Sequence, residues 1–235
     1  MRVTARVNSK QFERKMLRIE REVRFAAMLA LNDTGFDVRR AVQGELRQRL
    51  DRPTRYTLGA IYVTKASKSH LVATIGLKGA NQSTTPNAPQ ETIGQQFKGG
   101  RRKRKKIEQA LTKLGLIGPS DYVVPGRGAA LNRYGNISLA VTRRIVRELA
   151  GTGRKRANTA ATLTSSGAMF WSDGTKGLSK GVFRVMPNQG IKAILTVHSP
   201  PKYTARINVR RVGERVARRT FAGHYRRALV RALGS

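Results

Sequence analysis

The sequence predicts an α+β fold: an antiparallel sheet packed by long N-terminal and C-terminal helices, with a basic loop-and-helix insertion. Three observations predict it. Apolar residues recur at steps of three and four near both ends of the chain. Between those ends lie short runs of β-branched, aromatic and aliphatic residues bounded by polar turns. Hydrophobic residues make up 39% of 235 positions, enough for a core and too many for a disordered tail.

The first helix begins at Asn8 or Ser9, whose short polar side chains can accept from the free amides of a first turn. Phe12, Met16, Ile19, Val23, Ala26 and Ala30 form one stripe expected to be buried, broadened by Leu17, Phe25 and Leu31. The pattern stumbles at Asn32-Asp33-Thr34-Gly35 and resumes with Val38, Val42, Leu46 and Leu50. That leaves one long helix with a weak point at Gly35, or two consecutive helices. A single helix of about 40 residues would be roughly 60 Å long, more than a small core can cover. Part of it is then expected to meet another subunit. Asp51-Arg52-Pro53 ends it, because the residue before a proline is pushed out of the helical region.

A hairpin follows, with strands over 57–65 and 70–77 and a polar turn at Ser67-Lys68-Ser69. From 78 to 96 the composition turns to Asn, Gln, Ser, Thr and Pro, which predicts a mobile loop. A short helix follows with Ile107, Ala110, Leu111 and Leu114 on one face, stopped by Gly115. Tyr122-Val123-Val124-Pro125 is extended, and Asn136 or Ser138 caps a helix through Val141, Ile145, Val146 and Leu149. The stretch 151–167 has the composition of a flexible linker. Strands are expected at Met169-Phe170-Trp171, at Val182-Phe183-Arg184-Val185 and over 191–197, the last two joined by a turn at Pro187-Asn188-Gln189-Gly190. The final helix runs over about 208–233, with Val212, Val216, Phe221, Tyr225, Leu229 and Leu233 inward. The resulting division is a core of 1–78 with 167–235, and an excursion of 79–166 carrying two short helices and flexible loops.

Charge dominates the chemistry. Lys and Arg total 47 against 13 Asp and Glu, a net charge of +34. Self-repulsion on that scale destabilises a folded chain, so a polyanionic partner is expected. Six cations stand in a row at Arg101, Arg102, Lys103, Arg104, Lys105 and Lys106, just after Lys98. Adjacent like charges of this density stay in water or against a polyanion, so three readings are open for the run: a solvated loop, direct contact with DNA, or an acidic protein partner. Replacing all six by Gln and Ser is expected to leave folding intact. A second group is Arg154, Lys155 and Arg156, and a third is the final helix, with Arg210, Arg211, Arg218 and Arg219 among eight arginines against Glu214. No helix-turn-helix, zinc finger or aromatic single-strand platform is legible, so the cations predict phosphate contacts with little sequence preference.

Other classes fit less well. No cysteine is present, which excludes disulfides, thiolate zinc sites and a cysteine nucleophile and fits a reducing compartment. The N-terminus lacks the apolar core of a signal peptide, and no run is long enough to span a bilayer. Synthesis in the cytoplasm and no membrane partner are expected. The three histidines, His70, His198 and His224, stand in no metal-ligand spacing. Asp33 and Asp37 lie one helical turn apart, a spacing that can hold a divalent ion but more often faces solvent beside cations such as Arg39 and Arg40. Gly126-Arg127-Gly128 and Gly151-Thr152-Gly153 lack the frame of a phosphate loop. No cofactor and no catalytic set are expected.

The order of these signals resembles the minor tail protein and tail-completion family of tailed bacteriophages. Four stretches carry it: Ala30-Leu31-Asn32-Asp33-Thr34 with Arg39-Arg40; the 53–77 hairpin with Val63-Thr64-Lys65-Ala66-Ser67-Lys68; Lys105-Lys106-Ile107-Glu108-Gln109-Ala110-Leu111 with Val124-Pro125-Gly126 and Tyr134-Gly135-Asn136-Ile137; and Gly181-Val182-Phe183-Arg184 with Pro201-Lys202-Tyr203 and the terminal helix. The resemblance implies a non-enzymatic virion protein of the head-proximal tail, neck or head–tail connector. It implies partners in copies of itself forming a ring around the DNA passage, and in other tail, neck or connector proteins. Viral double-stranded DNA would be met through phosphates. The alternative is a free, sequence-nonspecific basic DNA- or RNA-binding protein.

Overall fold

A single helix, α1 (Ser9–Arg49), runs unbroken through Gly35. The computed structural model describes residues 9–79, 88–151, 167–175, 177–187 and 190–234, and its class is α+β. Three of the four residues of the Asn32–Gly35 stumble have a packing reason. Asn32 accepts from the Ala66 amide through Oδ1 (2.7 Å) and donates to the Ala66 carbonyl through Nδ2 (3.2 Å). Gly35 admits the hairpin: a Cβ there would sit 3.2 Å from Val63 Cγ1. Asp33 turns toward the C-terminal helix, with Asp37 one turn further on. Polar and small residues interrupt the stripe because three different neighbours meet the helix at that point.

The chain divides into two units. The first is Met1–Phe97 with Arg206–Ser235 and the second is Lys98–Ala205. In the first, α1 is followed by α2 (Arg55–Leu58), whose N-cap Thr54 accepts from the Thr57 amide (3.1 Å). The hairpin is β1 (Ile61–Thr64) paired antiparallel with β2 (Thr74–Leu77), in a register that sets Ile61 opposite Leu77 and Tyr62 opposite Gly76. Both strands are shorter than expected, since 55–58 coils into α2 and pairing stops at Thr64–Thr74. The stretch expected as a loop over 78–96 is corrected in part. Residues 80–87 lie outside the described ones, but α3 (Pro89–Ile93) and α4 (Gln95–Lys98) follow. Proline at the first helical position needs no amide partner and has its φ already set, so it opens α3.

The last helix, α7 (Val209–Leu233), is capped by Asn208, whose Oδ1 accepts from the Arg211 amide (2.9 Å). It lies antiparallel to α1: Arg215 reaches Glu45, and His224 reaches back to Asp37 and Asp33. Val38, Val42, Leu46, Ile61, Ile207 and Val212 form the core, with Ile75, Leu77 and Val216 against it. Each fully buried aliphatic side chain there contributes about 1.5–3 kcal/mol. The expectation for the far ends of both helices is corrected. Phe12, Met16 and Ile19 are 59%, 49% and 43% exposed, and Leu233 is exposed as well. Residues 10–21 of α1 are exposed on every face.

The second unit contains a four-stranded antiparallel sheet in the order β3-β6-β5-β4, made of β3 (Tyr122–Pro125), β4 (Met169–Ser172), β5 (Gly181–Met186) and β6 (Gly190–His198). Two helices cover it, α5 (Lys106–Lys113) and α6 (Leu139–Gly151). Leu111, Ile145 and Leu149 from the helices pack with Val123, Met169, Trp171, Val182, Ile194 and Leu195 from the strands. The expected division is therefore corrected. The strands over 169–198 pair with 122–125 rather than with the N-terminal hairpin, so 79–166 is no excursion from a shared sheet. The antiparallel sheet packed by the N-terminal and C-terminal helices is the two-stranded one.

Local chemistry explains the joints of this unit. Ser138 caps α6, accepting from the Val141 amide (3.3 Å). Asn132 Oδ1 accepts from the amides of Tyr134 and Asn136, closing the turn before it. Gly126 and Gly128 place their amides on the Ile194 and Ala193 carbonyls of β6, and a Cβ on Gly126 would collide with Ala193. That glycine pair serves sheet pairing. Glu148 of α6 accepts from the Met169 amide (3.0 Å), and Arg144 donates to the Gly167 carbonyl (3.1 Å), which fixes the start of β4. The expected linker over 151–167 falls almost wholly on residues 152–166, outside the described ones.

Candidate nucleic-acid interface

The six-cation run has no helical structure until α5 begins at Lys106, and Lys105 just before it is extended. In an extended chain successive side chains point to opposite sides, and the run sorts itself accordingly. Arg101, Lys103, Lys105 and Lys106 are exposed, whereas Arg102 and Arg104 are half-buried.

The two inward arginines build the unit. Glu108 of α5 is fully buried and accepts a bidentate pair from Arg102, with Nη1 at 2.8 Å from Oε2 and Nη2 on Oε1. The same carboxylate accepts from the amides of Lys105 (2.6 Å) and Val123 (3.0 Å). The Lys105 contact is the acidic half of a capping box, so one residue caps α5 and ties it to β3. Burial pushes the Glu108 carboxyl up, but Arg102 and the Val123 and Lys105 amides more than offset this and hold it below the usual carboxylate range. The Arg102 guanidinium lies 4.5 Å over the Tyr122 ring, whose hydroxyl donates to the Arg102 carbonyl (3.0 Å). Arg104 Nη2 points at four oxygens, those of the Glu108, Gly118 and Asp121 carbonyls and Thr112 Oγ1, at 2.7–3.3 Å. The expectation that all six can be exchanged without harm to folding is corrected, because two of them are structural.

Lys98, also expected at the interface, is exposed, and Gly99 and Gly100 after it both have positive φ. The latter pairs with Tyr203 through two backbone hydrogen bonds of 2.9 Å, which sets the start of the run. Arg154, Lys155 and Arg156 lie outside the described residues.

In the first unit, α7 disposes its arginines differently. Arg211, Arg218, Arg219 and Arg226 are exposed and recur at seven or eight residues, on one face of the helix. At 1.5 Å per residue each step is about 11 Å. Among the described residues, Arg211, Arg219 and Arg226 have no carboxylate partner. Arg210 pairs with Glu214 (2.8 Å) along the border of this face, and Arg215, which helical spacing sets within it, pairs with Glu45 (3.4 Å). Arg226 was legible in the sequence from its register with Arg211 and Arg219.

Asp33, Asp37 and His224, scattered in sequence, meet between α1 and α7. His224 Nε2 is 2.7 Å from Asp37 Oδ2 and its Nδ1 is 2.8 Å from Arg227 Nη2, with Asp33 Oδ2 at 3.8 Å. An arginine only donates, so Nδ1 accepts and Nε2 carries the proton toward Asp37. Burial raises the Asp37 carboxyl, and the hydrogen bond from His224 with the charge of Arg40 brings it below its ordinary range. Both ring nitrogens are committed, so the cluster reads as a clamp between two helices. Tyr225 stacks on Phe221 with ring centroids 6.0 Å apart. Among the described residues no group of His, Asp and Glu is placed to hold a metal, and no helix is long and apolar enough to cross a membrane. Compared with known proteins, the chain matches no family model, no curated relative and no solved structure.

Proposed function

We propose that this chain is a structural, non-enzymatic component of a tailed-phage particle, at the head-proximal tail or neck, which assembles with copies of itself around the DNA passage. Its Lys and Arg side chains meet DNA phosphates or neighbouring rings. The observation that carries this reading is the arginine face of α7: Arg211, Arg218, Arg219 and Arg226 point to solvent along one side, nearly bare of carboxylates. Such a face neutralises phosphates along a backbone without reading bases. A DNA passage requires that much and no more. The fully exposed first turns of α1 supply surface for contact between copies. The resemblance over four stretches of sequence supplies the particle.

The test is a quadruple substitution, Arg211, Arg218, Arg219 and Arg226 each to Gln, made in a producing phage. Neutralised positions lower the salt slope of duplex binding by about 0.9 each, so a loss of roughly 3–4 is expected. Particle yield or DNA retention should fall with it. Normal infectious particles and an unchanged salt slope would overturn the proposal. Unaltered particles with a lost slope would instead favour a free, sequence-nonspecific DNA- or RNA-binding protein, which draws on the same face and needs no second copy.

A further inference from the structure

Four large apolar side chains, Phe12, Met16, Leu17 and Ile19, lie exposed within the first three turns of α1. Phe12, Met16, Ile19 and Val23 follow at steps of four, three and four. The same steps continue to Ala26, Ala30, Asp33 and Asp37. In heptad terms Phe12 and Ile19 are d positions, Met16 and Val23 are a positions, and the seam runs on without a break into the part of α1 that α7 covers. There Ala26 and Ala30 are fully buried, and Asp33 and Asp37 meet His224. Where α7 no longer covers it, the seam is bare, and Leu17 beside it is 58% exposed.

We infer that this overhang pairs with the same segment of a second copy, parallel and in register, as a short coiled coil over residues 12–23. Continuity along α1 supplies the apolar half of the argument, since the same stripe is fully buried at Ala26 and Ala30 and meets α7 through Asp33 and Asp37. The flanking charges supply the direction. Glu13 and Glu20 are e positions, and Lys15 and Glu22 are g positions. In a parallel pair each g faces the following e of the other helix, so Lys15 meets Glu20 of the second copy, twice by symmetry. An antiparallel pair faces e with e, setting Glu13 against Glu20 twice, and these repulsions cancel its gain from Lys15 against Glu22. Glu20 already holds Arg24 within its own helix through Oε1 (3.3 Å), in an exposed pair. Beyond Val23 the seam belongs to α7, so the two copies of α1 diverge there. Two heptads bury little area, and the contact belongs with the weak, transient class unless several copies reinforce it. The inference rests on the assembly reading and names one surface through which copies meet; a two-fold pair closes on itself, so a ring around DNA takes a further head-to-tail contact beside it, and the pair does not depend on DNA binding.

The chain has no cysteine, so a single introduced one reports cleanly. Phe12→Cys is expected to cross-link to itself on mild oxidation of the full chain in high salt, where nucleic acid is released. Light scattering at about 100 μM, well inside the range of transient complexes, should give a mass above the 26.0 kDa of one chain. Phe12→Glu with Ile19→Glu should return it to one chain while leaving the thermal transition unmoved, since both side chains are exposed in the single copy. Three results overturn the inference: a monomer at every concentration, an oligomer indifferent to the double substitution, or cross-linking only when Phe12→Cys is mixed with Val23→Cys, the signature of an antiparallel pair. A chain that self-associates as expected yet lacks DNA affinity would sink the phosphate reading alone.

Discussion

The chain holds two dense groups of cations, and they behave in opposite ways. The run over 101–106 packs six charges into six residues, yet its backbone is not helical before Lys106 and turns Arg102 and Arg104 inward to hold Glu108, Thr112 and the carbonyls of Gly118 and Asp121. The α7 group is more dilute in sequence, but helical spacing gathers Arg211, Arg218, Arg219 and Arg226 on one solvent-facing side. Charge density along a sequence therefore says little about charge on a surface. Backbone period decides it: two in the run, 3.6 in the helix.

The sharpest way to break this comparison is to remove the carboxylate that captures the run. Glu108→Ala leaves the Arg102 guanidinium buried without its partner and uncaps α5, so a loss of about 3–5 kcal/mol is expected from denaturant unfolding of the second unit. The pH dependence has a definite sign. The Glu108 carboxyl lies below its ordinary value of 4.5 when folded, so its contribution is fully present above pH 4.5 and fades as pH falls through the lower folded value. A melting series from pH 6 down to pH 2 should show that decline, and Glu108→Gln should flatten it. An unchanged acid slope in the Gln variant would mean that other carboxyls set acid stability.

Next in size is the clamp between the long helices. His224→Ala strands Asp37 and removes the acceptor for Arg227, so about 1–3 kcal/mol should be lost from the first unit. His224→Asn tests the detail, since an amide can donate toward Asp37 and accept from Arg227. Recovery of part of the loss, read from urea midpoints at constant slope, is expected.

How much of this was legible follows from which physics is local. Both long helices, the cap of α6 at Asn136 or Ser138, and every strand of the larger sheet were written in periodicity and turn chemistry, which act within a few residues. Strand partnership was not, because 122–125 and 190–198 pair across a long separation and nothing in either segment marks the other. The inward turn of Arg102 was hidden for the same reason. It depends on Glu108, six residues on, being buried under β3, and a lone Glu after six cations reads as a surface counter-charge. Phe12, Met16 and Ile19 show the converse limit. Periodicity reveals an apolar face without saying whether the cover comes from the same chain.

The smallest effect separates the two halves of the run itself. Arg101→Gln with Lys103→Gln changes two exposed side chains on the outward side, so stability should move by no more than about 0.5 kcal/mol. Arg102→Gln, one residue away, should behave like the Glu108 substitution because it empties the same buried pair. If thermal unfolding shows that contrast, binding can be read without interference from folding, and the three readings of the run come apart. A fall of about 2 in the salt slope for duplex DNA assigns the outward pair to phosphates. An unchanged slope with lost particle assembly assigns them to an acidic protein surface, because only a protein partner loses contacts that DNA does not report. No change in either returns the outward cations to solvent and leaves the α7 face to carry the interaction with DNA.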